Sequence, residues 1–161
     1  MALKKSGIRL LVLDVDGVLT DGGMYFAEGG DEYKKFNAKD GYCIKQLCAQ
    51  GFQVAFLSSG KNKKLIGNRA KMLGVQWVYV GTEEKLGVLD GWRKKMNITW
   101  NSIAYIADDM NDYLVMQKVG LPACPADAVD KIKKVSKVVL SRRGGEACVR
   151  EFVEKFIADI K

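Results

Sequence analysis

The chain has no histidine, and that absence removes several chemistries at once. A Ser-His-Asp triad, a phosphohistidine intermediate and a histidine-ligated zinc all require an imidazole. Cysteine is sparse: Cys43, Cys48, Cys124 and Cys148 show no CxxC spacing and fall short of a disulfide scaffold. They read as free thiols in a reducing compartment. A cysteine-dependent phosphatase carries an arginine at a fixed short distance beyond its thiolate, within the loop that cradles phosphate. Six positions after each cysteine this chain has Ala49, Val54, Asp130 and Glu154, so that route closes too. Neither GxxxxGK[ST] nor GxGxxG occurs. Nor does a run of about 18 apolar residues, so no membrane span is expected. Met1–Ser6, with Lys4 and Lys5, has the outline of a secretory leader. The apolar run that follows, Leu10–Leu13, is cut short by Asp14 and Asp16 and has no small-residue cleavage pattern. A cytoplasmic protein is expected.

What remains is ordinary globular material. The 161 residues are 48% hydrophobic, enough for one α/β domain over 1–161 with a real core. Net charge is +7, from 26 Lys+Arg against 19 Asp+Glu, which suits an anionic partner. The basic residues are dispersed and no recognition motif appears, so nucleic acid is not the partner expected. Chemistry must come from carboxylates, hydroxyls, lysine and arginine.

Apolar runs of strand length alternate with helical patterns, as in a parallel sheet flanked by helices. Strands are predicted at Ile8–Leu13, Val54–Leu57, Trp77–Val80, Ile103–Ile106 and Val138–Leu140. Several are almost wholly hydrophobic, as strands covered on both faces should be. Helices are predicted at Gly41–Gln50, Lys63–Leu73, Glu83–Met96 and Asn111–Val119, with Gly51, Gly74, Asn97 and Gly120 as their C-terminal residues. Gly145–Ile160 reads as a closing amphipathic helix. Between Gly22 and Phe36 two short apolar pieces flank Glu28-Gly29-Gly30-Asp31, which predicts a β-hairpin projecting after the first strand.

The segment Asp14-Val15-Asp16-Gly17-Val18-Leu19-Thr20-Asp21 begins where the first strand ends, the end at which open α/β sheets bind ligands. Residues two apart on extended backbone face the same side, so Asp14 and Asp16 can address one centre. Gly17 allows a sharp turn beside it. A second acidic group, Asp108-Asp109-Met110-Asn111-Asp112, follows Ile103–Ile106. If the two strands are neighbours, both groups face one site, and oxygen ligands of this kind suit Mg²⁺. An acidic first turn of the following helix would account for Asp109 and Asp112 but not for the pairing with Asp14 and Asp16.

These two acidic motifs, the hydroxyl after strand two and Lys85 resemble, in order and spacing, the four motifs of the haloacid dehalogenase superfamily. The resemblance covers the chain nearly end to end and implies a Rossmann-like fold. It also implies an Mg²⁺-dependent phosphatase in which Asp14 attacks phosphorus to form an aspartyl-phosphate. Asp16 would be the general acid and base. Mg²⁺ would be held by Asp14, the Asp16 backbone carbonyl and Asp108, and Lys85 would be a fixed cation near phosphate. For the hydroxyl, counting forward from the first helix gives Ser58 and counting back from Arg69 gives Ser59; Ser58 is taken. Ala107 stands where the superfamily has glycine.

With a hairpin in place of a cap domain, the chain further resembles the 3-deoxy-D-manno-octulosonate 8-phosphate phosphatases. The marks are Asp21-Gly22-Gly23, Lys35-Phe36-Asn37-Ala38-Lys39-Asp40-Gly41, Arg143-Gly144-Gly145-Glu146 and Val149-Arg150-Glu151. That resemblance implies a small sugar-phosphate substrate and a homotetramer built through the hairpins. Substrate contacts would come from Asp16, Asn37, Ala38, Lys39, Asp40, Gly41, Lys45, Lys61, Arg69 and Lys85. Lys63 and Lys64 read as a solvated face. Gly144-Gly145, flanked by Arg142 and Arg143, reads equally as a loop before the last helix or as a mobile tail that brings a cation to the substrate. The ending also resembles the nine-carbon 2-keto-3-deoxy-nonulosonate 9-phosphate phosphatases. A third reading is the non-catalytic assembly module of acylneuraminate cytidylyltransferases, which has lost the nucleophile that Asp14 would supply.

Overall fold

The structure is a computed structural model and describes residues 2–3 and 7–159. Lys4, Lys5 and Ile160, the end of the expected closing helix, lie outside the described residues. In chain order the elements are β1 (Ala2–Leu3), β2 (Leu10–Leu13), β3 (Tyr25–Phe26), β4 (Glu32–Tyr33), α1 (Ala38–Ala49), β5 (Gln53–Ser58), α2 (Lys63–Leu73) and β6 (Trp77–Val80). They continue with α3 (Lys85–Lys95), β7 (Ile103–Ile106), α4 (Tyr113–Met116), β8 (Leu121–Cys124), α5 (Asp130–Val135), β9 (Val138–Val139), α6 (Cys148–Phe156) and β10 (Ala158–Asp159).

Six strands form one parallel sheet in the order β6-β5-β2-β7-β8-β9. Period-two alternation sends successive residues to opposite faces, and both faces are covered. Leu11, Leu13, Phe56 and Ile106 pack with Ile44 and Leu47 of α1, Ile66 of α2 and Phe152 of α6. Leu10, Val12, Leu57 and Tyr105 pack with Leu89 of α3, Met116 of α4 and Ile132 of α5. Full burial of each such side chain stabilises by roughly 1.5–3 kcal/mol, which is why the central strands read as unbroken apolar runs. The chain moves from β2 outward to β5 and β6, then crosses to β7 on the other side. The crevice at that reversal opens at the C-terminal ends of β2 and β7.

The hairpin forms as expected, with Tyr25 opposite Tyr33 and a bridge between Thr20 and Phe36 closing its base. Gly51, Gly74 and Asn97 take positive φ of 78, 80 and 50°, as helix ends require. Gly120 is different. A Cβ there would lie 2.3 Å from the Asn101 carbonyl oxygen, so close backbone approach explains this glycine. The expected helix at Asn111–Val119 is a 3₁₀ turn, Met110–Asp112, followed by the single turn of α4.

The closing helix is shorter than expected, Cys148–Phe156, and Ala158–Asp159 forms β10, which pairs antiparallel with β1. Besides that terminal pair, two elements escape the sequence pattern, β8 and α5. β8 contains Pro122, and a proline argues against an inner strand. Its carbonyl accepts from Lys137 N at 2.9 Å, whereas β9 pairs only from Ala123 onward. The missing N–H therefore removes no ladder bond. α5 buries a single apolar residue, Ile132, and so shows no periodicity.

Candidate active site

The two acidic motifs meet. β2 and β7 are hydrogen-bonded neighbours, with Leu13 opposite Ile106, and the Asp14 amide donates to the Ile106 carbonyl at 3.0 Å. Asp14 ends the strand in extended backbone, Asp16 sits at φ −77°, ψ 126°, and Gly17 turns at φ 79°. A Cβ on Gly17 would stand 1.9 Å from Asp108 Oδ2. Only glycine lets the Asp108 carboxylate come that close to the first loop. Asp14, Asp16, Ser58, Ser59, Gly60 and Asp108 line one open pocket of about 460 Å³. Ser58 is the last residue of β5 and is buried, its Oγ accepting from Gly60 N at 3.0 Å; Ser59 is exposed.

Beneath the pocket lies a buried charge cluster. Lys85, at the first position of α3, places Nζ 2.9 Å from Asp14 Oδ1 and 2.8 Å from Asp112 Oδ2. Burial pulls the Lys85 ammonium down, but the charges of Asp14 and Asp112 outweigh it and raise it. Asp112 also accepts from the Tyr105 hydroxyl. Burial, then the charges of Asp112 and Asp14, hold Tyr105 well above its usual range, so it remains a neutral donor. Asp112 is fully buried, more than an acidic first turn requires, and departs from the helix-turn reading that suffices for Asp109, which caps Met110 N at 2.6 Å.

Asp14 is raised first by burial and then by the Asp112 charge. Asp108 is raised to about 7, first by burial and then by Asp14 and Asp109. Three carboxylates (Asp14, Asp108 and Asp112) thus crowd around one lysine. A dication between Asp14 and Asp108 would relieve that repulsion. Among the described residues no three acidic, histidine or cysteine side chains converge as a metal group. Two carboxylates and a backbone carbonyl, the set expected from the sequence, would suit an ion that keeps several waters, as Mg²⁺ does.

Asp16 has a lysine of its own, which the sequence reading missed. Lys34 Nζ lies 2.6 Å from Asp16 Oδ1 and 2.6 Å from Glu32 Oε1, with a side chain only 3% exposed. The available signal was Glu32 and Lys34 two apart at the end of the predicted hairpin, where extended backbone would put them on one face.

The residues expected to bind substrate divide. Asp16 lines the pocket, Lys85 anchors Asp14, and Lys61 lines an adjoining hollow of about 770 Å³ shared with Asp16, Met24 and Phe26. Lys63 and Lys64 are exposed and border that hollow. The others sit elsewhere in the chain. Asn37 caps α1 by accepting from Lys39 N at 2.9 Å, and Asp40 is buried, accepting from Arg150 N at 2.7 Å. Arg69 lies over the Phe36 ring at 5.2 Å, against Gly41. Ala38, Lys39 and Lys45 are exposed on α1.

The Gly144-Gly145 segment is a loop that clasps the first motif. Gly145 N donates to Val18 O at 3.0 Å, and Asn37 Nδ2 donates to Gly145 O at 2.9 Å. A Cβ on Gly144 would lie 1.9 Å from Gly17 O. Arg143 pairs with Asp127 at 3.3 Å.

No family model matches the chain. It is similar to the 3-deoxy-D-manno-octulosonate 8-phosphate phosphatase KdsC of Escherichia coli strain K12. The two are 39% identical over 148 residues, spanning 92% of this chain and 78% of that one. Among solved structures, the 3-deoxy-D-manno-octulosonate 8-phosphate phosphatase of Yersinia pestis superposes with a TM-score of 0.89 at 36% identity, covering 92% of this chain and 80% of that one. The Moraxella catarrhalis phosphatase of the same name, in complex with magnesium ion, phosphate ion and KDO, gives 0.88 at 30% identity, covering 94% and 86%.

Proposed function

Because the chain belongs to the 3-deoxy-D-manno-octulosonate 8-phosphate phosphatases of the haloacid dehalogenase superfamily, we propose that it hydrolyses 3-deoxy-D-manno-octulosonate 8-phosphate with Mg²⁺ as cofactor. The observation that carries this reading is the convergence of Asp14 and Asp108 on one pocket above the buried Lys85. Asp14 forms a bond to phosphorus as the ester P–O bond breaks. Asp16 gives its proton to the departing sugar alkoxide. Water then attacks the aspartyl-phosphate, Asp16 takes a proton from it, and inorganic phosphate leaves with Asp14 restored. Ser58, its Oγ fixed by accepting from Gly60 N, has its own hydroxyl hydrogen to donate to a transferring oxygen from the β5 side. Lys85 fixes the Asp14 carboxylate throughout. Asp14, the Asp16 carbonyl and Asp108 would hold Mg²⁺, which would supply the charge neutralisation that lets an anion approach a phosphate.

The hairpin leaves Met24, Tyr25, Phe26 and Tyr33 at 63, 43, 61 and 58% exposure. An apolar patch of this kind supports assembly, and we read it as the surface that joins four subunits. Ala38, Lys39 and Lys45, exposed and lining neither hollow of their own subunit, would then serve a neighbour's. Free thiols at all four cysteines suit the cytoplasm, and among the described residues no helix is long and apolar enough to cross a membrane.

Phosphate release from a panel of eight- and nine-carbon keto-sugar-acid phosphates tests the reading. The eight-carbon ester should have the highest kcat/KM. A preference for a nine-carbon ester would reassign the substrate, and no release from any ester would leave only the assembly role.

A further inference from the structure

Each reactive aspartate is met by a lysine, and the reaction as drawn uses only one of the two. Lys85 answers Asp14 and shares its ammonium with Asp112. Lys34 answers Asp16 in the same way and shares its ammonium with Glu32. A lysine buried to 3% exposure is held there only if its charge is well paired, so this is no solvated hairpin residue.

The hairpin does not need Lys34 for its own closure. Ala27 N donates to Asp31 O at 2.9 Å, Gly30 N donates to Ala27 O, and the Thr20–Phe36 bridge closes the base. Lys34 lines neither hollow and reaches Asp16 from the hairpin. It holds Oδ1. Oδ2 is turned toward the Gly60–Ser58 wall, 3.6 Å from where a Gly60 Cβ would be.

Resting on the phosphatase reading above, we propose that Lys34 is a positioning residue for Asp16. By gripping Oδ1 from the hairpin, it aims Oδ2 at the ester oxygen that must leave with a proton. Glu32 holds the ammonium in place. The hairpin thereby belongs to the acid–base apparatus as well as to the outer surface.

The test is kcat/KM for wild type, K34M, K34R and E32Q, all loaded with Mg²⁺, on two esters. One is the keto-sugar-acid phosphate the wild type turns over best, whose alkoxide must be protonated as it leaves. The other is p-nitrophenyl phosphate, whose phenolate departs without a proton. K34M should lose about a hundredfold on the sugar ester, and at least about tenfold less than that on the aryl ester. K34R should regain at least about tenfold on the sugar ester, and E32Q should show a smaller loss with the same bias. Equal losses on both esters, no loss, or K34R no better than K34M would overturn the proposal. If circular dichroism shows K34M unfolded, the bias is read from E32Q, and its absence there has the same force. A wild type idle on both esters overturns the phosphatase reading itself, and this proposal with it.

Discussion

In the proposed mechanism Asp14 carries two burdens that pull against each other: it must be ionised to attack, yet burial and Asp112 raise its pKa. Lys85 is the local answer. Replacing Lys85 with Met leaves two carboxylates buried against each other, and the expected loss is about 3 kcal/mol of stability, seen as a lower urea midpoint. Asp14→Asn removes the nucleophile and one of the crowded charges together. Phosphate release should fall on the order of 10³-fold or more, while the thermal midpoint stays level or rises. A variant that retains near wild-type turnover would refute the nucleophile assignment. At this scale the meeting of Asp14, Asp16 and Lys85 at one site was legible because spacing and strand ends restrict where such residues can converge. The buried partnerships of Lys34, Tyr105 and Asp112 were not, because they form only once separate elements pack together. The expected role of Asn37 met a competing one: its side chain is committed to the α1 cap and to Gly145.

Between elements, the site depends on what backs the first loop. Gly144→Ala would drive a methyl group into the Gly17 carbonyl, displacing the loop that carries Asp14 and Asp16. The expected result is a lower thermal midpoint together with a fall in kcat, and wild-type values for both would contradict the clasp. Glu151 of α6 ties the same C-terminal segment, accepting from Ser141 N at 3.0 Å and Arg142 N at 2.9 Å, with Lys155 at 2.6 Å. Burial opposes its ionisation, but the Lys155, Ser141 and Arg142 hydrogen bonds prevail and lower it from 4.5 to about 2. A depressed carboxyl stabilises the fold fully above its unfolded value and loses that contribution as pH falls through its folded one. The stability gap between wild type and Glu151→Gln should therefore be constant above about pH 5 and shrink between about pH 4.5 and 2. Urea titrations across that range measure it, and a gap independent of pH would contradict the assignment. The long elements were readable because burial on both faces writes unbroken apolar runs, and α2 and β6 match to the residue. β8 and α5 were not, since Pro122 hides the one and a single buried residue the other.

For the whole molecule, fold class and the position of the site follow from one arrangement: β2 lies between β5 and β7, so the ends of three strands share a crevice. The sequence pattern implied a parallel sheet but not strand order, which depends on how the helices pack. The hairpin patch predicts self-association. Met24→Asp with Phe26→Asp should lower the mass measured by sedimentation velocity, and an unchanged mass would contradict the assembly surface. The proposed chemistry depends most on a divalent ion shared by Asp14 and Asp108 beside the phosphate. Phosphate release as a function of Mg²⁺ concentration, for wild type and Asp108→Asn, tests this most directly. Chelation should abolish wild-type turnover, and the variant should need at least about tenfold more Mg²⁺ for half-activation. A rate indifferent to chelator, or identical activation curves for the two proteins, would contradict it.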